Sequence, residues 1–284
     1  MVKKFVYGTP FETEAVVKEI PSSEGNPDYG TFSTENGFSF TTKLADDDMV
    51  FGLGEANRGI NKRGFLYISD CADDPNHVES KTSLYAAHNF IIISGKTHVG
   101  FFFDYPGTLR FDIGYTTSDT MTVSCENADL YVYMITGDSD LDIVKQFRGI
   151  IGRSYIAPKF AFGYGQSRWG YKTEDDFRTV VKKYRENHVP LDMVYMDIDY
   201  MQDYKDFTVN EERFPDFEGF VQDMKKEKIH LVPIIDAGVK VEKDYDIYEE
   251  GCEKGYFCRR EDGSYFEATV WPGWTHFPDV LNAD

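Results

Sequence analysis

Residues 191–201 read LDMVYMDIDYM. The run is short and apolar enough for a buried β-strand, yet Asp197 and Asp199 stand at its far end, where an ordinary core would not accept carboxylates. Its neighbours decide the setting. KFAFGYGQ at 159–166 reads as a preceding strand and IHLVPIIDAGV at 229–239 as a following one, and all three are apolar on both faces, as sheets covered by helices require. Between the first two, Thr173 and Asp176 form a capping-box pattern ahead of Phe177, Val180, Val181 and Tyr184, an i, i+3, i+4, i+7 stripe that Pro190 closes. Between the second and third, Asp216 caps the stripe Phe217, Phe220, Val221 and Met224. Strand, helix, strand, helix, strand implies parallel pairing, because each crossover returns the chain to the same edge.

Each of these strands gathers polar residues at its C-terminal end: Gln166, Ser167 and Arg168, then Asp197 and Asp199, then Asp236. In (β/α)8 barrels and open α/β sheets alike, that end is where ligands bind. Alternation along 191–199 places Tyr195, Asp197 and Asp199 on one side and Val194, Met196 and Ile198 on the other, so one row points carboxylates toward a pocket. Carboxylates there can accept hydrogen bonds from sugar hydroxyls and favour an oxocarbenium-like transition state. A helix cap or a pair with Arg or Lys is the competing use of a strand-end Asp.

Upstream, from Gly37 to about Gly137, β-branched and aromatic segments recur: GFSFTTKL, GFLYISD, HNFIIIS, HVGFFFDYP, LRFDIGY, MTVSC and ADLYVYMITG. Turn-like breaks separate them, the pattern of an antiparallel sandwich. Val144, Phe147 and Ile151 then fall at helical spacing, with Gly152 and Pro158 as stop signals. The expected architecture is multidomain: a β-sandwich over residues 1–155, then the first βα units of a (β/α)8 TIM barrel over 156–284.

The 284 residues carry 49 Asp plus Glu against 30 Lys plus Arg, a formal charge of −19, which repels phosphate backbones and anionic lipid surfaces and makes nucleic acid an unsuitable partner. Aromatic content of 16% is compatible with a neutral, hydroxyl-rich ligand as well as with a core. Cys71, Cys125, Cys252 and Cys258 form no CxxC pair and read as free thiols of a reducing compartment. No apolar run approaches a membrane span, and a cytoplasmic location is expected. GLGEAN and GYGQSR miss the third small residue of a dinucleotide fingerprint, and the six histidines show no HExxH. No GxSxG elbow or P-loop occurs, so neither cofactor nor metal is expected.

FAFGYGQSRWGY, VPLDMVYMDIDYM, RFPD, HLVPIIDAGV and VWPGWTHFPDVLN, in this order and spacing, closely resemble the N-terminal half of the glycoside hydrolase family 31 α-glucosidases. FGLGEANRGINKRG and SLYAAHNFIII resemble the β-sandwich that precedes the barrel there. The resemblance implies retaining hydrolysis of terminal α-linked glucose from oligosaccharides, without a cofactor. It implies that Asp197 hydrogen-bonds the sugar in the −1 subsite with Ile198 beside it, that Asp236 and Trp271 line the same pocket, and that Trp169 walls its mouth. ISDCADDPNH resembles a sandwich loop that reaches the barrel mouth, with Asp73 or Asp74 supplying a carboxylate; a solvated turn before Pro75 is the alternative. Asp199 ranks below Asp197, with bonding to nearby backbone as its other reading.

The likeness stops short of the two catalytic carboxylates of the retaining template. The family's nucleophile lies in a WNDMNEP-like segment on the fourth barrel strand, and its acid/base follows later; neither segment is present in this sequence. Residues 156–284 are also about half of the roughly 250 that a (β/α)8 barrel needs. The expectation is therefore the N-terminal part of a longer enzyme, inactive by itself. A sibling activity on the same scaffold, such as an α-xylosidase or α-glucan lyase, and a non-catalytic sugar-binding module are the alternatives. Linkage preference is not legible.

Overall fold

The computed structural model describes residues 1–282; the last two positions expected in the barrel segment, 283 and 284, lie outside the described residues. The chain divides into two units, Met1–Ser154 and Tyr155–Asp284.

The first unit holds β1 (Val2–Tyr7), β2 (Thr31–Ser33), β3 (Phe38–Lys43), β4 (Met49–Gly52), β5 (Phe65–Ser69), β6 (Phe90–Ser94), β7 (His98–Asp104), β8 (Leu109–Ile113), β9 (Thr120–Cys125), β10 (Leu130–Gly137) and helix α1 (Asp140–Ile151). Two five-stranded sheets form, in the orders β1-β10-β7-β6-β4 and β2-β3-β9-β8-β5, with every neighbouring pair antiparallel. They share one core, in which Phe101 and Phe103 of the first sheet meet Phe38, Phe40 and Phe111 of the second. This is the expected sandwich.

Strand β10 is buried on both faces, which its continuous apolar sequence demands. Leu130, Val132 and Met134 enter the sandwich core. Tyr131, Tyr133 and Ile135 lie on the other face, under α1. The helix docks there through Ile143, Ile150 and Phe147, whose ring stacks on Phe90 at 3.8 Å. Of the stripe read from the sequence, Phe147 and Ile151 pack here, whereas Val144 is 38% exposed and Ile143 takes its place. Gly152 ends the helix at φ 85°, where glycine adopts the conformation without steric cost.

The second unit contains three parallel strands, β11 (Gly165–Gln166), β12 (Met193–Met196) and β13 (His230–Pro233), in that order across the sheet. Helix α2 (Glu174–Glu186) follows β11 and α3 (Phe217–Lys226) follows β12. Thr173 and Asp176 make the full capping box, and Asp216 accepts the Gly219 N–H at 2.9 Å. Phe177 and Val181 of α2, Phe220 and Met224 of α3, and Val194 and Met196 of β12 form one core. A second group of elements follows: β14 (Val239–Lys240), α4 (Asp246–Lys254), β15 (Glu267–Val270) and β16 (Gly273–His276), with the strands antiparallel in the order β14-β16-β15. The parallel strands are thus the opening part of a TIM barrel whose sheet does not close.

Three local expectations change. The first strand is shorter than KFAFGYGQ suggests, because Lys159–Phe162 is a 3-10 turn pinned by Phe160 stacking on His230 at 3.5 Å. The third strand ends at Pro233, and Val239–Lys240 joins the antiparallel sheet instead. The second ends at Met196, followed by a 3-10 turn over Ile198–Tyr200, so strict alternation does not extend to Asp199. Helices cover only one face of the parallel sheet, through Val194 and Met196; on the other, Tyr195 is 37% exposed.

Candidate functional site

The end of β12 and the segment after β13 place two carboxylates close together. Asp197 stands directly after Met196 and caps the 3-10 turn, its Oδ1 accepting the Ile198 N–H at 2.8 Å. The half-buried Asp197 has no further protein partner for Oδ2 among the described residues. The Ile234 N–H donates to the Met196 carbonyl at 2.9 Å, extending the ladder and aligning the two strand ends. Asp236 follows two residues later, and its Oδ2 is buried with no hydrogen-bond partner among the described residues. Burial, then the negative charge of Asp197, raises the Asp236 pKa above the usual carboxylate range. Two acceptors therefore converge with capacity to spare, a costly arrangement for a group that only supports the fold.

The turn carrying Asp236 is gripped at both of its polar faces. Tyr200 Oη donates to the Ile234 carbonyl at 3.0 Å, and the Asp236 N–H donates to Asp206 Oδ1 at 3.1 Å. Asp206 is only 1% exposed. Burial chiefly, and repulsion from Asp236 against the opposing pull of the Asp236 N–H, lift it to about 6. No periodicity in DYKDFTVN points to Asp206. The backbone signal is conformational: Asp203, Tyr204 and Phe207 all adopt φ between 51° and 62°, uncommon for residues bearing a Cβ and frequent near functional sites.

The other expected site residues have distinct surroundings. Ile198 is 6% exposed, so its backbone N–H rather than an open side chain serves Asp197. Asp199 is 1% exposed; Arg213 Nη1 reaches its carbonyl at 2.7 Å and its Oδ1 at 3.5 Å, so its carboxylate meets a guanidinium rather than nearby backbone, and its Oδ2 is buried without a partner among the described residues. Gln166 is committed to the protein, accepting from Tyr184 Oη at 2.5 Å and donating to Tyr171 Oη at 3.1 Å. Trp169 is 64% exposed, in a turn after β11, with the Lys172 ammonium 5.7 Å from its ring.

Trp271 is exposed at the turn between β15 and β16, and Trp274, which the motif reading did not single out, is exposed beside it. Their hairpin reaches the Asp236 turn: a Cβ on Gly238 would lie 2.8 Å from Val270 Cγ2, the residue before Trp271. Asp236 and an exposed indole are thus brought onto neighbouring segments.

Asp73 and Asp74 belong to the sandwich unit. Asp74 is paired with Lys81 at 2.9 Å and accepts the Asn76 N–H at 3.0 Å, and these bonds hold its pKa below the usual range. It therefore organises its own loop. Asp73 is exposed and has no protein partner among the described residues.

Two family models match the chain. Residues 10–112 match the glycosyl hydrolase 31 N-terminal galactose mutarotase-like domain, and residues 154–284 match the glycosyl hydrolases family 31 TIM-barrel domain. An alpha-glucosidase 2 of Bacillus thermoamyloliquefaciens is 36% identical over 245 residues, covering 84% of this chain and 31% of the relative. An alpha-glucosidase of Saccharolobus solfataricus is 27% identical over 288 residues, covering all of this chain and 41% of the relative. The chain thus spans less than half the length of either. Among solved structures, a Flavobacterium johnsoniae GH31 dextranase complexed with isomaltotriose superposes with a TM-score of 0.79 at 23% identity, over 88% of this chain and 31% of that one. The heterodimeric complex of the ER glucosidase II catalytic subunit with the binding domain of its regulatory subunit gives 0.77 at 24%, over 87% of this chain and 29% of that one. At these identities the structural likeness speaks for the fold.

Proposed function

Because this chain belongs to glycosyl hydrolase family 31, we propose that it supplies the sugar-binding part of a retaining α-glucosidase acting on terminal α-linked glucose of oligosaccharides. The observation that carries the reading is the pair Asp197 and Asp236 after the ends of adjacent parallel strands, each with a carboxylate oxygen that no donor satisfies among the described residues. Hydroxyl groups of a sugar ring are the donors such oxygens lack. Negative charge there also favours the positive character that develops at the anomeric carbon as the glycosidic bond breaks. Trp169 and Trp271, exposed and flat, suit the apolar faces of glucose units. Of Asp73 and Asp74 in the sandwich loop, Asp73 is the one without a protein partner among the described residues.

The alpha-glucosidase relatives support the substrate class. The nucleophile and the acid/base of the two-carboxylate template are not assigned to any residue of this chain. The test is kinetic, in a polypeptide in which the barrel is complete. Asp197→Ala should lower kcat/KM for an aryl α-glucoside by roughly 3 kcal/mol, about a hundredfold or more, as loss of charge-assisted hydrogen bonds does. A value within threefold of the parent enzyme would refute the assignment.

A further inference from the structure

Asp206 lies against the sugar-facing pair without belonging to it. The segment that carries it is held in an uncommon conformation by several bonds: the Gln202 N–H to Thr208 Oγ1 at 2.9 Å, Thr208 Oγ1 to the Lys205 carbonyl at 2.6 Å, and Tyr245 Oη to the Asp206 carbonyl at 2.6 Å. Left-handed residues on both sides of Asp206 persist only where the surroundings over-determine them. What this construction delivers is one buried carboxylate whose Oδ1 accepts the Asp236 N–H at 3.1 Å. An uncharged acceptor would satisfy that N–H at less desolvation cost, so the negative charge calls for a purpose of its own.

We propose that Asp206 is a positioning residue of the sugar pocket, which fixes the Asp236 backbone through this hydrogen bond and, ionising after Asp236, adds a second negative charge beside it. The inference rests on the reading of Asp197 and Asp236 as sugar contacts. The groups facing Asp206 are Asp236 from the turn after β13, Tyr200 from the 3-10 turn after β12, and Tyr245 at the start of α4. Lys205, its neighbour in sequence, is committed to Glu242 at 2.7 Å. No cation in that set compensates the carboxylate. Coupling between two acids is mutual, and the repulsion falls on the one that keeps its proton longer; burial makes that group Asp206, which changes charge near pH 6.

The experiment compares Asp206→Ala and Asp206→Asn with the parent in the polypeptide in which the barrel is complete, using kcat and KM for an aryl α-glucoside between pH 4.5 and 7.5, with Asp197→Ala as a control. Alanine leaves the Asp236 N–H unpaired and should cost about tenfold to a hundredfold in kcat/KM. Asparagine retains an acceptor oxygen, so it should recover most of that loss while removing the inflection near pH 6 from the kcat/KM profile. Should the alanine variant fail to fold, the asparagine profile decides alone. An asparagine variant that keeps the inflection near pH 6, or an alanine variant that matches the parent, overturns the proposal. If Asp197→Ala is also without effect, the sugar-pocket reading fails with it; if Asp197→Ala is crippled, only the role of Asp206 fails.

Discussion

Replacing Asp206 by Asn should make the second unit more stable relative to the parent as pH rises, by an amount fixed by burial of the carboxyl group. The side chain is 1% exposed, and its pKa is raised from 3.8 to about 6, by burial first and by the charge of Asp236 next. Between those values the folded state holds the proton that the unfolded state has released, so stability falls as pH increases. The full penalty is reached above pH 6 and is absent well below 3.8. At about 1.4 kcal/mol per unit it amounts to about 3 kcal/mol, of which roughly 2.5 kcal/mol develops between pH 4 and pH 7. Asn does not titrate, and the many other carboxylates cancel in the difference between the two proteins. The assay is urea denaturation followed by far-UV circular dichroism, read as the difference between the two proteins so that the unchanged first unit cancels. The stability of Asp206→Asn minus that of the parent should rise by about 2.5 kcal/mol from pH 4 to pH 7. A difference constant to within about 0.5 kcal/mol would refute the burial argument.

The same assay reads two further substitutions. Thr173→Ala removes the oxygen that accepts the Asp176 N–H at the start of α2 and should destabilise by about 1 kcal/mol; an unchanged urea midpoint would deny the cap a role. Arg213→Ala strips the Asp199 carbonyl and carboxylate of their guanidinium donor, leaving a buried charge unpaired. It should cost about 2–3 kcal/mol, discounted from a fully buried pair because the arginine side chain is 37% exposed; a loss below about 0.5 kcal/mol would show that water replaces it.

The parts of the fold legible in the sequence are those where a local pattern and the tertiary environment agree. Phe38 and Phe40 alternate with partly exposed Ser39 and Thr41 on β3, so the strand shows its own buried face. On α2, Phe177 and Val181 are buried as the stripe requires, and the cap is where Thr173 marks it. No strand is read before residue 37, yet β1 and β2 lie there. Strand β1 is an edge strand whose lysines interrupt the apolar run, and Lys4 lies 3.9 Å from the centre of the Tyr131 ring. A charged residue with its stem on an aromatic face looks like surface in a sequence.

The candidate site divides in the same way. Asp197 and Asp236 are legible because a carboxylate at the end of an apolar strand conflicts with its surroundings, and such conflicts gather at functional sites. Asp199 presents the same conflict and meets it only in part through Arg213, its Oδ2 staying buried without a partner among the described residues; it lies within the 3-10 turn that Asp197 caps, and alternation carries no information about such a turn. Asp206 was illegible because its burial is created by Tyr200, Tyr245 and the Asp236 turn, none of which its own segment reveals.

The central claim, that the ends of β12 and β13 form the floor of a glucose pocket, is tested most directly by determining a structure of the polypeptide with its barrel complete and glucose bound. The account predicts carboxylate oxygens of Asp197 and Asp236 within about 3 Å of sugar hydroxyls, with Asp206 beneath them still on the Asp236 N–H. Glucose bound elsewhere, or both carboxylates turned onto protein donors with the sugar in place, would contradict it.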